Sequence, residues 1–327
     1  MTRVITTSPG FARHGKAPGR LRSTGWNFVR CADPALPDGG LSSHIADADY
    51  LVAGLFPVTA DTIRAGKNLK GVLKHGVGLD GIDIDACTEA GIPVTNTPGA
   101  NANAVAELAI GMMIAMSRSL IPSHGEVLNG GWNRIAGVEI AGRTLGIVGL
   151  GAVGKCLAQK AMVLGMKIVA TDLYPDYTFI AEHAITLASL PDLLGMSDFV
   201  SLHVVGGHAN SALIGPSELK LMKPGAALLN LARGEVVDLD ATAAALETGS
   251  LSGAAFDTYP SEPPDLSHPI FSAPRTIFSP HVGAETTDSI ERVSLMNIQD
   301  IETLISGGLP DRCVNRTVSL TDQKQLG

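Results

Sequence analysis

The chain has 327 residues, 45% of them hydrophobic, a length and composition that suit about two globular domains. Its formal net charge of −8 is spread along the chain, which disfavours nucleic acid or an anionic membrane as a partner. The four cysteines form no C-x-x-C pair, the N-terminus lacks the apolar core of a signal peptide, and the most apolar stretch, Leu108–Met116, is too short to span a membrane. We therefore expect a cytoplasmic protein without metal.

The first hundred residues are predicted to alternate between short strands and helices. Apolar strands are expected at Val4–Thr6, Tyr50–Ala53 and Gly71–Lys74, and a further short strand within Pro93–Pro98. Helical segments are expected at Asp61–Ala65 and Ile84–Ala90, and a loop is marked by Pro34, Pro37, Gly39 and Gly40. Alternation of this kind predicts a parallel sheet.

A long apolar helix is predicted at Ala104–Arg118, because its residues leave no polar face for solvent. The segment that follows, Ile121–Val138, contains Gly130, Gly131 and Trp132. We expect it to be an irregular, polar excursion from the main body.

The second half of the chain is predicted to continue as strand and helix pairs and to end in one last helix. Its strands are expected at Thr144–Val148, Lys167–Thr171, Phe199–His203, Ala227–Asn230, Gly253–Phe256 and Thr276–Phe278, and the last helix near Glu285. We therefore predict an α/β protein with two doubly wound parallel sheets, Rossmann-like or flavodoxin-like. The predicted domains are 1–99 with 285–327, for a substrate, and 100–284, for a dinucleotide, with a ligand cleft between them.

Three glycines follow the strand at Thr144–Val148. Gly149, Gly151 and Gly154 have the G-x-G-x-x-G spacing of a dinucleotide site, which serves a tight turn, close approach to a pyrophosphate and close helix packing. Unpaired N–H groups at the start of the next helix favour phosphate. The following strand ends in Asp172, whose carboxylate can accept ribose hydroxyls and would repel a 2′-phosphate. The pattern predicts NAD rather than NADP.

Three residues suited to acid–base chemistry or anion binding follow predicted strands. They are Arg233, with Gly234 relaxing the turn after it, Glu262 in a proline-rich loop, and His281. Ligands of open α/β sheets bind at the carboxyl ends of the strands. Arg233 can clamp a carboxylate, His281 can move an alcohol proton and Glu262 can hold the imidazole. The set suits hydride transfer at a 2-keto or 2-hydroxy acid, whereas an S-adenosylmethionine-dependent methyltransferase would share only the glycine-rich turn.

Several motifs, in this order, resemble those of the D-isomer-specific 2-hydroxyacid dehydrogenase family. They are G-V-G-L-D-G-I-D (Gly76–Asp83), N-T-P-G-A-N-A-N-A-V-A-E (Asn96–Glu107), G-R-T-L-G-I-V-G-L-G-A-V-G (Gly142–Gly154), M-K-P-G-A-A-L-L-N-L-A-R-G-E-V-V-D (Met222–Asp238) and S-P-H-V-G-A-E-T (Ser279–Thr286). The resemblance covers nearly all of the chain. It implies an NAD-dependent oxidoreductase that acts at C2 of a small 2-hydroxy or 2-keto acid.

The resemblance also implies roles for single residues. It makes Arg233, Glu262 and His281 catalytic, with Arg233 also binding substrate, and it places the substrate carboxylate on the backbone N–H groups of Val77 and Gly78. Further cofactor contacts are implied for Gly149, Gly151, Ala152, Val153, Gly154, Asp172, His203, Ala232, Asp257, His281 and Gly283, with Asp257 holding the nicotinamide carboxamide.

Two positions depart from the family's pattern. Members carry Leu-His-x-Pro-Leu-Thr where this chain has L-H-V-V-G-G-H from Leu202 to His208. The loop Val204-Val205-Gly206-Gly207, under the adenine and pyrophosphate, is therefore expected to differ in shape. The usual asparagine of G-x-D-N-I-D is Gly81 here, which should matter less.

The substrate stays open at this point. The loop L-K-H-G-V-G is nearest to that of phosphoglycerate dehydrogenases, and we expect a member without their regulatory domain, but hydroxypyruvate, glyoxylate and phosphite dehydrogenases have similar loops. Lys74 lies where phosphoglycerate dehydrogenase-like relatives have a basic residue. Either Lys74 binds a second anionic or polar group of the substrate, or it only reinforces binding of the one carboxylate. Some relatives are non-catalytic, NAD-sensing transcriptional corepressors. Turnover of NADH with a 2-keto acid would show that this chain is an enzyme and not such a corepressor.

The resemblance implies a homodimer. Family members dimerise through their nucleotide domains, here through Ala104–Arg118 and Ile121–Val138 with Trp132 as an anchor. The alternative is that Leu108, Met112 and Met116 only pack inside their own domain.

Overall fold

The structure, a computed structural model, describes residues 1–31, 33, 35–36, 38–54, 56–204 and 212–318. The chain divides into two compact units, Met1–Asn101 with Ala284–Gly327, and Ala102–Gly283. The sequence-based division was 1–99 with 285–327, and 100–284. Pro34, Pro37 and all of the predicted loop Val204–Gly207 except Val204 lie outside the described residues.

The first unit contains a parallel five-stranded sheet in the order β2-β1-β3-β4-β5. Its strands are β1 (Arg3–Thr6), β2 (Asn27–Arg30), β3 (Tyr50–Ala53), β4 (Gly71–Lys74) and β5 (Val94–Thr95). Its helices are α1 (Ala17–Ser23), α2 (Ala60–Ala65), α3 (Ile84–Glu89) and, from the end of the chain, α11 (Thr287–Ile305). This is the flavodoxin-like strand order, as predicted.

Successive residues of these strands pack on opposite faces of the sheet. Ile5 and Leu51 belong to the core on the side of α2 and α3, whereas Val4 and Val52 belong to the core that α11 covers. Both faces are therefore apolar, as a parallel sheet requires. Strand β2 was not predicted, because it lies at the edge of the sheet and no residue of N-F-V-R is fully buried.

The second unit contains a parallel seven-stranded sheet in the order β12-β11-β10-β9-β6-β7-β8. Its strands are β6 (Thr144–Val148), β7 (Lys167–Thr171), β8 (Thr186–Leu187), β9 (Phe199–Leu202), β10 (Ala226–Asn230), β11 (Leu251–Phe256) and β12 (Thr276–Phe278). Its helices are α4 (Ala102–Ser117), α5 (Leu120–Leu128), α6 (Ala152–Val163), α7 (Tyr177–Glu182), α8 (Leu190–Met196), α9 (Pro216–Leu221) and α10 (Leu239–Glu247). Six of these strands have the doubly wound Rossmann order, and the order of strands across the sheet reverses between β6 and β9.

The apolar helix α4 is part of the second unit's core, as its composition predicted. Ala106, Ala109 and Met113 are buried against α6 and the sheet. Among the described residues no single helix is long and apolar enough to cross a membrane, although the bent pair α4 and α5 meets that test by length and composition. Nor does any cluster of three or more histidine, cysteine or acidic residues suited to a metal occur in the described part of the chain.

The prediction that Ile121–Val138 is irregular is wrong for its first half, which forms α5. Pro122 lies in the first turn of this helix, where a missing N–H group costs little. Gly125 in a helix interior costs only about 1 kcal/mol relative to alanine. Neither residue therefore prevents this helix. The rest of the segment, from Gly131 to Val138, forms neither helix nor strand.

Candidate active site

Each of the three glycines after β6 is required for a different structural reason. Gly149 has a φ of +96° and its missing Cβ would lie 2.6 Å from the carbonyl oxygen of His203, while a Cβ on Gly154 would lie 2.2 Å from the carbonyl oxygen of Gly149. A Cβ on Gly151 would meet no protein atom within 4 Å. The first two are needed by the fold itself, whereas Gly151 leaves open space in front of the N-terminus of α6, where Ala152 and Val153 form the first turn.

Asp172 directly follows β7, beside β6 in the sheet. Its Oδ2 accepts a hydrogen bond from the N–H of Leu150 at 2.6 Å and its Oδ1 accepts one from Tyr174 at 2.8 Å. Each carboxylate oxygen has a further lone pair. An open glycine turn at a helix N-terminus and an oriented carboxylate at the next strand end fit a dinucleotide's pyrophosphate and ribose.

His203 follows β9 on the other side of β6. Its Nε2 lies 2.9 Å from Oγ of Ser201, and burial lowers the pKa of the imidazole to about 4, so the ring is neutral at neutral pH. His203 is half-buried, and its backbone carbonyl faces the glycine turn. A cofactor contact by this residue stays a prediction.

Arg233 lies in a turn after β10 that the buried Asn230 holds. The side chain of Asn230 donates to the carbonyl of Arg233 at 2.8 Å and accepts from the N–H of Ala232 at 3.1 Å. Gly234 is buried, and a Cβ there would lie 1.9 Å from the carbonyl carbon of Tyr259. Its φ is not in the left-handed region, so the reason for glycine is close contact with the next loop rather than the relaxed turn that was expected.

Glu262 and His281, which follow β11 and β12, are brought together. Nδ1 of His281 lies 2.8 Å from Oε2 and 3.0 Å from Oε1 of Glu262. The backbone N–H of Tyr259 also donates to Oε1 at 3.2 Å. Strands β10, β11 and β12 are neighbours in the sheet, so all three predicted catalytic residues follow the carboxyl ends of adjacent strands.

The loop that carries His281 is fixed by the buried carboxylate of Asp257. Its Oδ1 accepts hydrogen bonds from Oγ of Ser279 at 2.5 Å and from the N–H of Val282 at 2.9 Å, and its Oδ2 accepts one from the N–H of Gly283 at 2.8 Å. His281 has a φ of +52°, a conformation that costs a non-glycine residue about 1–3 kcal/mol. Asp257 therefore positions a strained loop, and its contact with the carboxamide stays a prediction.

Tyr259 was not singled out from the sequence. Its hydroxyl lies 3.0 Å from the carbonyl oxygen of Ser279 and 3.2 Å from that of Phe256, so it ties the end of β11 to the His281 loop. Burial, together with the charge of Asp257, raises the pKa of this hydroxyl to about 12, which keeps it a donor. The only signal in the sequence was an aromatic residue with a polar end beside a strand end.

In the first unit, the carbonyl groups of the loop after β4 accept hydrogen bonds from neighbouring residues. The carbonyl of Gly76 accepts from both the N–H and Oγ1 of Thr97, at 3.0 Å each, and the carbonyl of Val77 accepts from Nδ2 of Asn96 at 2.8 Å. The N–H groups of Val77 and Gly78 donate to no residue that the structure describes. Adjacent free N–H groups form a concavity that binds anions.

Lys74 ends β4, immediately before this loop. Its Nζ donates to the carbonyl oxygen of Gly54 at 2.8 Å, and its own carbonyl accepts from Nδ2 of Asn297 at 3.1 Å. The lysine thus has a fixed ammonium group at the carboxyl edge of this sheet. Its role toward a substrate stays a prediction.

Comparison with known proteins agrees with this geometry. The family described as D-isomer specific 2-hydroxyacid dehydrogenase, NAD binding domain, matches residues 110–283. The chain belongs to the D-isomer-specific 2-hydroxyacid dehydrogenases. It is an NAD-dependent oxidoreductase that acts on 2-hydroxy or 2-keto acids.

Named relatives cover most of this dehydrogenase. It is 36% identical to a hydroxypyruvate reductase of Thermotoga maritima over 80% of this chain and 86% of that one. It is 35% identical to the D-3-phosphoglycerate dehydrogenase of Escherichia coli over 86% of this chain and 70% of that one. The crystal structure of the TT0316 protein from Thermus thermophilus is 31% identical, with a TM-score of 0.87, over 96% of this chain and all (100%) of that one.

Proposed function

We propose that Arg233, Glu262 and His281 are the catalytic residues of this dehydrogenase and that it interconverts a small D-2-hydroxy acid and its 2-keto acid. The hydrogen-bonded pair of Glu262 and His281 carries the proposal. Bound NADH supplies the hydride that C2 receives. Because Nδ1 of His281 is held by Glu262, Nε2 gives the proton to the carbonyl oxygen and takes it back in oxidation. Arg233 binds the carboxylate and polarises the adjacent carbonyl.

We propose that the free N–H groups of Val77 and Gly78 bind the substrate carboxylate. Two backbone donors on a loop whose carbonyls are fixed support this role, since such donors need no reorganisation when an anion binds. In the cofactor site we assign the pyrophosphate to Gly149, Gly151, Ala152, Val153 and Gly154, the ribose to Asp172, and further contacts to His203, Ala232, Asp257 and Gly283.

For the substrate we propose hydroxypyruvate or its 3-phosphorylated form in preference to pyruvate. The support is Lys74, a compact cation held at the end of β4 next to the loop of Val77 and Gly78. A group on C3 that carries oxygen atoms would interact with this ammonium. The names of two similar relatives, a hydroxypyruvate reductase and a phosphoglycerate dehydrogenase, support the same choice.

A substrate screen tests both statements. Pyruvate, glyoxylate, hydroxypyruvate, 3-phosphohydroxypyruvate and, in the other direction, phosphite are compared by NADH absorbance. We expect reduction of hydroxypyruvate or 3-phosphohydroxypyruvate with the highest kcat/KM. Turnover of none of these acids, together with tight NADH binding, would contradict the catalytic proposal and favour an NAD-sensing protein.

Replacing Lys74 by methionine tests how much Lys74 contributes to the preference among these substrates. We expect Lys74→Met to remove most of the preference for hydroxypyruvate or its phosphorylated form while pyruvate reduction changes little. Equal losses on all acids would show that Lys74 serves the shared carboxylate. Lys70→Met is the matched control, because Lys70 is paired with Asp49 near the start of β4.

We propose that the dehydrogenase is a homodimer whose interface includes α5 and the segment after it. No residue of α5 is buried, and Leu128 and Trp132 are 73% and 82% exposed. Leu120, Ile121 and Val127 of α5 are exposed as well, and a group of exposed apolar side chains in one segment is typical of an interaction surface. Isologous pairing of such a surface with a second copy would cover it.

Light scattering at micromolar concentration tests the dimer. We expect twice the chain mass of 33.8 kDa and expect Leu128→Glu to yield the single-chain mass. Val163→Glu is the control, since Val163 is 88% exposed on α6 and outside this surface. A wild-type mass of one chain would contradict the proposal.

We also propose a cytoplasmic location, which four free cysteines support and cell fractionation tests.

A further inference from the structure

His75 bridges two elements of the first unit that are distant in sequence. Its Nδ1 lies 3.0 Å from Oγ of Ser8, in the loop after β1, and its Nε2 lies 3.1 Å from Oγ of Ser294 on α11. The ring also contacts Phe11 edge-on, with centroids 5.7 Å apart. His75 is the residue between Lys74 and Gly76, so it lies directly before the loop with the free N–H groups.

The hydrogen bonds around Ser294 determine which nitrogen of His75 carries the proton. The hydroxyl of Ser294 donates to the carbonyl of Ile290 at 2.6 Å and accepts from the N–H of Ala12 at 2.9 Å. Because its one proton is used, it can only accept from His75. Nε2 therefore carries the proton and donates, and Nδ1 accepts from the hydroxyl of Ser8.

A neutral ring fits the charges around it. Burial lowers the pKa of His75 to about 3, and the nearby cations Lys74 and Arg30 act in the same direction. Arg30 is itself occupied, because it donates to the carbonyl oxygens of Ser8, Pro9 and Phe11. The ring thus keeps one donor and one acceptor at neutral pH, which is what the two serines require.

The backbone on both sides of His75 is fixed as well. Its N–H donates to the carbonyl of Ala53 at 2.8 Å, and Gly76, with a φ of +143°, is tied through its carbonyl to Thr97. The side chain of His75 connects this stretch to α11 and to the loop after β1. Loss of its two hydrogen bonds would leave the turn at Gly76 held only by its contacts with Ala53 and Thr97.

We propose that His75 is a positioning residue for the substrate carboxylate: its bridge between Ser8 and Ser294 sets the direction of the Val77 and Gly78 N–H groups. The inference rests on the proposed function of those N–H groups. It does not make His75 a catalytic residue, because both ring nitrogens are bonded within the protein.

Two substitutions of His75 separate hydrogen bonding from packing. Leucine fills similar space without polar atoms, whereas the amide of glutamine presents an acceptor and a donor that match the two ring nitrogens. We expect His75→Leu to raise KM for the 2-keto acid about tenfold or more, since a displacement of about 1 Å in a site can cost about a hundredfold. His75→Gln should recover most of this loss. The Kd of NADH, followed by fluorescence, should change less than about twofold in both.

Two further variants complete the test. Ser8→Ala removes the donor to Nδ1 with less risk to folding, and we expect it to raise KM in the same direction. His44→Leu is the control, because this histidine of the same unit bonds to Arg3 and not to the loop. Equal losses in His75→Leu and His75→Gln, or an unchanged KM in His75→Leu, would overturn the proposal.

A readout without substrate separates failure of this inference from failure of the proposed function. Hydrogen exchange of the amides of residue 75 and Thr97, which bond to the carbonyls of Ala53 and Gly76, should be faster in His75→Leu than in the wild type or His75→Gln. Faster exchange in a protein that reduces no 2-keto acid would support the bridge and refute the carboxylate role. Unchanged exchange would refute the bridge itself.

Discussion

Nδ1 of His281 lies 2.8 Å from Oε2 of Glu262, and no described residue bonds its Nε2. An ionised carboxylate only accepts hydrogen bonds, so Nδ1 carries a proton and Nε2 is the nitrogen that exchanges one with a ligand. The side chains of His281 and Glu262 are 48% and 40% exposed, so solvent can return the proton between turnovers.

His281→Ala removes the proposed proton donor. Loss of a positioned general acid typically costs about 100- to 10,000-fold in rate, and we expect kcat to fall in that range while NADH binding stays near normal. Stopped-flow kinetics and a fluorescence titration of NADH measure the two quantities. A histidine variant with near wild-type turnover would refute the assignment.

Glu262→Gln keeps the shape of the side chain and removes its negative charge. The charge stabilises the protonated imidazole that reduction needs. Without it, the decline in the reduction rate with rising pH should begin at a lower pH, while the maximal rate falls less than in His281→Ala. Profiles of kcat/KM against pH for the two proteins decide this point, and identical profiles would exclude the electrostatic role.

Gly234→Ala should displace Arg233. A Cβ at residue 234 would lie 1.9 Å from the carbonyl carbon of Tyr259, so the two loops must separate. Since a displacement of about 1 Å can cost about a hundredfold, we expect both a higher KM for the 2-keto acid and a lower kcat. Gly195→Ala is the control, because a Cβ there would have only an ordinary contact at 3.7 Å. Equal activity of the two variants would contradict the close-contact explanation.

Asp257→Asn tests the positioning of the His281 loop. One oxygen becomes an NH2 group that cannot accept from Val282 or Gly283, and an unsatisfied buried donor costs about 1–3 kcal/mol. We expect a large fall in kcat and faster hydrogen exchange at residues 279–283. Asp265→Asn is the control, since Asp265 bonds to Ser267 in an exposed turn. Unchanged exchange with a weaker affinity for NADH would favour the carboxamide contact alone.

Asp172 should determine the preference for NADH over NADPH. Two like charges about 4 Å apart repel by about 1–4 kcal/mol in water-like to protein-like surroundings. We therefore expect Asp172→Ser to raise the NADPH to NADH ratio of kcat/KM about tenfold or more. Asp192→Asn removes the same charge elsewhere in the unit, where the carboxylate bonds to Ser189, and should leave the ratio unchanged. A wild-type preference for NADPH would refute the role of Asp172.

The order of elements and the strand-end residues were predictable for definite reasons. The strands with buried residues on both faces, such as β6 and β10, are continuous apolar runs, and glycine spacing marks the turn after β6. Arg233 was singled out because it follows such a run, and His281 because it follows the short apolar segment that forms β12. Which bonds hold them was not predictable, because Asn230 and Tyr259 act through backbone atoms of other loops. Helix α5 was missed because none of its residues is buried, so no core contact within its own unit marks it.

His75 should make the stability of the first unit depend on pH. Its pKa is about 3 in the folded chain, against 6.5 for a free histidine, so between these values the unfolded chain binds a proton that the folded chain does not. Stability therefore falls as pH decreases from 6.5 toward 3, by up to about 1.4 kcal/mol for each pH unit. The neutral His203 of the second unit contributes in the same direction over its own range down to about 4.

Urea unfolding of the wild type and of His75→Gln, measured at several pH values from about 4 to 7, tests this dependence. Glutamine does not titrate, so the variant should lose less stability on acidification, while His203 keeps part of the slope. The carboxylates titrate in both proteins, and the difference between the two curves therefore isolates His75. Parallel curves would show that His75 does not remain neutral in the folded chain and would remove the electrostatic support for its bridge between Ser8 and Ser294.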